Sequence, residues 1–105
     1  MRENTIGTKN TALGYTALFN NTEGDCNIAV GYQALNANTT ADGNIAIGHL
    51  AMYANTTGYS NTAVGSNSSC CNTDGYENTA LGYKSLACNT TGDKNTALGL
   101  SLIHI

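Results

Sequence analysis

Charge is scarce in this 105-residue chain. Charged residues make up 10% of it, four Lys and Arg against seven Asp and Glu, for a formal net charge of −3; ordinary globular domains carry roughly 25%. With no cluster of Lys or Arg there is no electrostatic footprint for nucleic acid or an anionic membrane surface, and neither partner is expected. No apolar run approaches the roughly 20 residues of a membrane span, so no membrane insertion is expected, and Met1-Arg2-Glu3-Asn4 is no secretory signal. Catalytic constellations are missing as well. There is no carboxylate pair set for acid–base work, no Ser with a His and an acid at matching places, and no phosphate-cradling loop; His49 is the lone histidine before His104. The chain is not expected to be an enzyme, and no cofactor is implied.

What the chain has instead is a repeat. Asn10, Asn27, Asn44, Asn61, Asn78 and Asn95 recur at a spacing of 17 without an insertion, each opening the phrase N-[TI]-A-[LVI]-G. Numbering each unit from that Asn, alanine fills the third place from Ala12 to Ala97, and glycine the fifth as Gly14, Gly31, Gly48, Gly65, Gly82 and Gly99. A second phrase, N-T-x-[GA], begins at the twelfth place with Asn4, Asn21, Asn38, Asn55, Asn72 and Asn89. Charges collect at one corner, between the fourteenth and seventeenth places: Glu23, Asp25, Asp42, Asp74, Glu77, Asp93, Lys9 and Lys94. A unit this short cannot bury its own apolar face, so it must stack on its neighbours. The expected fold is mainly β, a parallel β-solenoid of 17-residue coils.

Strand alternation in N-T-A-L-G sets the second and fourth places on one face and Asn, Ala and Gly on the other. In register, the Asn places become ladders able to pass hydrogen bonds from coil to coil. The invariant fifth-place glycine turns the chain, either because the turn needs φ > 0 or because a side chain has no space, and Gly48→Val is expected to cost on the order of 1–3 kcal/mol. The Y-x-A-L stretch fits either a second strand or one helical turn. N-T-T-G reads as a loop whose Asn and Thr bond local backbone. Two aliphatic stripes result, Leu13/Val30/Ile47/Val64/Leu81 at the fourth place and Leu18/Leu35/Met52/Leu86 at the ninth. A thin tube has room for the alanines and one large stripe; the other is expected to face outwards as an interface, the alternative being a flat monomeric coil that hides both.

The repeat array spans residues 1–99. Met1 enters at the ninth place of a unit and no polar capping unit is visible at either end, so the chain is expected to be a fragment of a longer protein. Residues 100–105, Leu-Ser-Leu-Ile-His-Ile, leave the register and can be spelled by the transposon end used in shotgun sequencing libraries; they read as an off-register tail, a candidate library artefact without function.

At N-T-A-L-G-Y and N-I-A-V-G-Y the chain resembles the YadA-like head repeats of trimeric autotransporter adhesins, and more nearly the N-T-A-x-G-Y-x-A-L repeats of phage tail fibres. The resemblance covers Asn4 to Gly99, with a longer coil and more Asn and Tyr than the adhesin pattern. It implies a homotrimer of parallel β-rolls that is extracellular, on a virion fibre or a bacterial cell surface, and attaches to a host-surface glycan or protein receptor.

Few residues offer chemistry. Cys71 and Cys88 share the eleventh place on adjacent coils, close enough for a cross-coil disulfide, although Ala37 and Ala54 at the same place fit a simple small-residue site. Cys70-Cys71 without a Cys-x-x-Cys pair is a poor zinc motif, and no metal is expected. Asp25 and Asp42 stack at the sixteenth place, but the calcium-binding nonapeptide is absent and they read as solvated charge. Asn38-Thr39-Thr40 and its counterparts match glycosylation acceptors that the period itself explains. Tyr15, Tyr32 and Tyr83 form a row interrupted by His49 and Ser66, suited to stacking on sugar rings or to packing across coil edges. The expected function is structural, a segment of a surface attachment fibre. The rivals are an ice-binding solenoid, which needs a T-x-T face where this chain alternates Thr and Ile, and a non-catalytic piece of a carbohydrate-cleaving tailspike.

Overall fold

In the computed structural model, which describes residues 7–87 and 89–99, each coil carries one three-residue strand. These are β1 (Thr11–Leu13), β2 (Ile28–Val30), β3 (Ile45–Ile47), β4 (Thr62–Val64), β5 (Thr79–Leu81) and β6 (Thr96–Leu98). They pair in parallel in sequence order, with Ala12 opposite Ala29, Ala29 opposite Ala46, and so on to Ala80 opposite Ala97. The 17-residue period is thus the register of a parallel β-solenoid, and no helix occurs among the described residues. Residues 100–105 and Cys88, and with Cys88 the question of its pairing to Cys71, lie outside the described residues.

The Y-x-A-L stretch is neither of the forms its length suggested. Its seventh and ninth places adopt left-handed backbone in every coil: Gln33 and Leu35 at φ 55° and 51°, Leu50 and Met52 at 59° and 50°, Asn67 and Ser69 at 59° and 51°. Left-handed residues alternate with other conformations, which breaks both the strand and the helix and leaves overlapping four-residue turns. Ala34 N–H donates to Gly31 O at 3.3 Å, Asn36 to Gln33 at 3.3 Å and Asn38 to Leu35 at 3.2 Å. The intervening amides reach neighbouring coils, Gln33 N–H to Tyr15 O at 2.8 Å and Leu35 N–H to Ala51 O at 3.0 Å. Each left-handed non-glycine residue costs roughly 1–2 kcal/mol, and these coil-to-coil bonds hold it there.

Two buried asparagine ladders brace the tube. At the first place the side chain bridges backbone: Asn44 Nδ2 donates to Gly58 O at 2.8 Å, while its Oδ1 accepts the Asn61 N–H at 3.0 Å. Amide-to-amide transfer runs instead along the twelfth place, in the loop that N-T-T-G forms. Asn38 donates to Asn21 Oδ1 at 3.0 Å, Asn55 to Asn38 at 3.0 Å, Asn72 to Asn55 at 2.9 Å and Asn89 to Asn72 at 3.1 Å. Each of these amides also bonds the fifteenth-place carbonyl of its own coil, as Asn55 does to Gly58 O at 2.9 Å. Burial is affordable because these donors and acceptors are paired.

The rest of the interior is apolar. Third-place alanines from Ala29 to Ala97 and the ninth-place Leu18, Leu35, Met52 and Leu86 are fully buried, together with Ala17, Ala34 and Ala51, while Ala12 on the first coil is partly buried. At Ser68 and Ser69 this filling stops, and the core divides into a larger cluster ending at Ala63 and a smaller one of Ala80, Leu86 and Ala97. Ser69 is 2% exposed and its hydroxyl has no hydrogen-bond partner in the protein. Ser69→Met should rejoin the stripe between Met52 and Leu86, since methionine adapts to irregular gaps and occupies this place at Met52. The expected gain is on the order of 1–2 kcal/mol, read as a higher midpoint in urea; a lower midpoint would mean the site cannot open.

Candidate functional site

Of the two aliphatic stripes, the fourth-place one faces outwards. Leu13 is 67% exposed and Leu98 55%, and Ile47 and Leu81 are also exposed, whereas the ninth-place stripe is wholly inside. Tube closure explains the choice, because Asn at the first place and Ala at the third occupy the inner face of the strand and force the second and fourth places out. The resulting sheet face carries Thr or Ile beside Leu, Val or Ile on all six strands, with no charged side chain at either place. It is a contiguous uncharged surface.

Aromatic rows flank this face. Tyr15 and Tyr32 stack at 5.5 Å between ring centroids, and Tyr32 stacks on His49 at 5.1 Å. His49 thus extends the row where the sequence suggested an interruption, and coil order puts Tyr15 and His49 on opposite faces of the Tyr32 ring. That leaves Tyr32 its edge and hydroxyl for outside contacts. Tyr83 stands apart beyond Ser66, with Lys84 Nζ 5.3 Å from its ring centroid. A second row went unnoticed in the sequence: Tyr59 and Tyr76, both at the sixteenth place, stack at 4.8 Å with planes 4° apart. The Asp93 carboxylate and then Tyr59 push the Tyr76 phenol above its ordinary range.

The charged corner is exposed, and its aspartates tie coils together. Asp25 Oδ1 accepts the Thr8 N–H at 2.6 Å, Asp42 Oδ1 the Asp25 N–H at 2.7 Å and Asp93 Oδ1 the Tyr76 N–H at 3.0 Å. Lys94 and Glu77 approach to 4.0 Å, an exposed pair of little energetic weight. Among the described residues no group of three or more His, Cys, Asp or Glu could hold a metal ion, and no helix is long and apolar enough to cross a membrane. On another side of the coil, Gln33, Leu50, Tyr53, Ala54, Asn67, Cys70 and Cys71 line a groove of about 630 Å³. This groove was invisible in the sequence, because it depends on how the seventh, tenth and eleventh places splay across three coils.

No family model, curated protein or solved structure matches the chain.

Proposed function

We propose that this chain is a structural segment of a surface attachment fibre, a stiff β-solenoid spacer that holds a receptor-binding element away from a virion or a bacterial cell. The observation that carries the reading is the outward sheet face, uncharged along all six strands and aliphatic at the fourth place of each. Exposed contiguous faces of this kind belong to interfaces, and three copies packed through it form the rod. Stiffness comes from the stack: strands, turns, both asparagine ladders and the aspartate corner all bond coil to coil. The fibre is extracellular, its receptor a host-surface glycan or protein, met through exposed hydroxyls such as those of Tyr15 and Tyr83 or through elements beyond this chain.

A spacer can be shortened without losing its purpose. Excising residues 44–60, one whole period, from the parent fibre should shorten the rod by about 4.8 Å and leave attachment of the particle or cell unchanged. Complete loss of attachment, with the rod still folded, would place the receptor site in the repeats and defeat the spacer reading.

A further inference from the structure

Cys70 and Cys71 are consecutive in the chain, and their sulfurs lie 4.0 Å apart on the wall of the groove. Both thiols are free, Cys71 exposed and Cys70 half-buried. A direct bond between them is unfavourable. A trans peptide holds consecutive α-carbons about 3.8 Å apart, whereas relaxed disulfides span roughly 4.4–6.8 Å. A bridge through a third atom avoids that strain.

Two properties select the bridging atom. Among the described residues no third His, Cys, Asp or Glu is grouped with them, so those residues do not supply the four-ligand shell of a zinc-like ion; a centre satisfied by two sulfurs fits the pair. Burial, and then Cys71, push the Cys70 thiol above its ordinary range. That favours a partner which takes neutral thiols into a neutral product over a cation that needs two thiolates. Trivalent arsenic carrying an organic group meets both conditions, and its hydrocarbon part suits the wall formed by Leu50, Tyr53 and Ala54.

We propose that Cys70, Cys71 and the adjoining groove form a capture site for trivalent organoarsenicals. An arsenic oxide R–As=O condenses with the two thiols to give R–As(S–Cys)2 and one water. Two As–S bonds form and the As=O bond breaks. Both thiol protons leave on the oxide oxygen, and arsenic stays trivalent, so neither oxidant nor reductant is consumed. Cys71, the exposed thiol, reacts first, and Cys70 closes the ring with the organic group lying in the groove.

The test uses the 105-residue chain with Cys26→Ser and Cys88→Ser, leaving Cys70 and Cys71 as its only cysteines, titrated with phenylarsine oxide and followed by intact mass. One equivalent should bind, survive excess monothiol and be released by a small dithiol. Adding Cys71→Ser should weaken retention by about 100-fold or more, because the second As–S bond gains from being intramolecular. For the groove, the folded chain should hold phenylarsine oxide more tightly than the urea-unfolded chain does, and more tightly than the folded chain holds inorganic arsenite. Release by monothiol, or equal retention after Cys71→Ser, overturns the dithiol site. Equal affinity of folded and unfolded chain, or for the two arsenicals, overturns the groove. Uptake of Cu(I) in preference to phenylarsine oxide from an equimolar mixture overturns the choice of arsenic.

Discussion

Gly48→Val should be among the most damaging single substitutions in the stack, costing on the order of 2–6 kcal/mol. Two effects combine. Gly48 has φ +135°, a conformation L-residues rarely adopt, and a β-carbon there would lie 2.6 Å from Gly65 O and 2.7 Å from Gly65 C. Those are backbone atoms of the next coil, fixed by the pairing of β3 with β4, so relief means prying two coils apart. The same approach recurs at Gly31, whose β-carbon would meet Gly48 O at 2.7 Å. The sequence offers a positive φ or a lack of space as alternative reasons for this glycine; both apply at Gly48, and together they raise the cost. Gly43→Ala is the control. Its φ is +69°, nothing lies nearer than 3.7 Å, and Ser60 and Glu77 occupy the same place at φ 55°. It should change stability by no more than about 1 kcal/mol. Urea melts of the two variants check both; similar midpoints would contradict the close packing of fifth-place glycines.

Asn55→Leu should rank beside it. The Asn55 amide gives one hydrogen bond to Asn38 Oδ1 at 3.0 Å and another to Gly58 O at 2.9 Å, and its oxygen accepts from Asn72 Nδ2 at 2.9 Å. Gly58 O keeps its bond from Asn44, but Asn38 Oδ1 and one Asn72 proton are left unpaired in a dry interior. At about 1–3 kcal/mol for each such group, the loss is on the order of 2–5 kcal/mol. Asn55→Asp should be worse, because a carboxylate would face the Asn38 oxygen without a proton to offer. Exposed Thr57→Ala, two residues away, should stay within about 0.5 kcal/mol. Thermal melts at neutral pH separate these cases; a leucine variant as stable as the wild type would mean the ladder adds nothing to the fold.

Much of this architecture is legible in the residues because each first-, third- and fifth-place choice has one physical use. Alanine from Ala29 to Ala97 fits only where strands close on a narrow interior, and glycine at Gly31 and Gly48 fits only where backbones nearly touch. The turn half is illegible for the opposite reason. Gln33, Leu50, Asn67 and Lys84 share a left-handed backbone while having no chemistry in common, so the hydrogen bonds of the stack impose a conformation that no side chain announces. The twelfth-place asparagines were legible in part: N-T-T-G reads as a loop whose Asn bonds local backbone, as Asn55 does to Gly58 O, but its burial is not announced by composition. Their invariance beside variable fourteenth-place neighbours was the available signal. Which aliphatic stripe faced out could not be read from hydrophobicity alone, since Leu13 and Leu18 are the same residue; closure of the tube decides it.

The central claim, that the outward sheet face is the contact between copies of a fibre segment, is tested most directly by sedimentation equilibrium of the chain beside Ile47→Lys. Ile47 lies mid-face on β3 and is exposed in the single chain, so lysine there leaves the coil intact while placing a charge in the contact. The account predicts a mass of three chains for the wild type, and a single-chain mass with an unchanged β circular-dichroism spectrum for the variant. A wild-type chain that sediments as one copy, with a melting temperature independent of concentration and equal to that of Ile47→Lys, would contradict it.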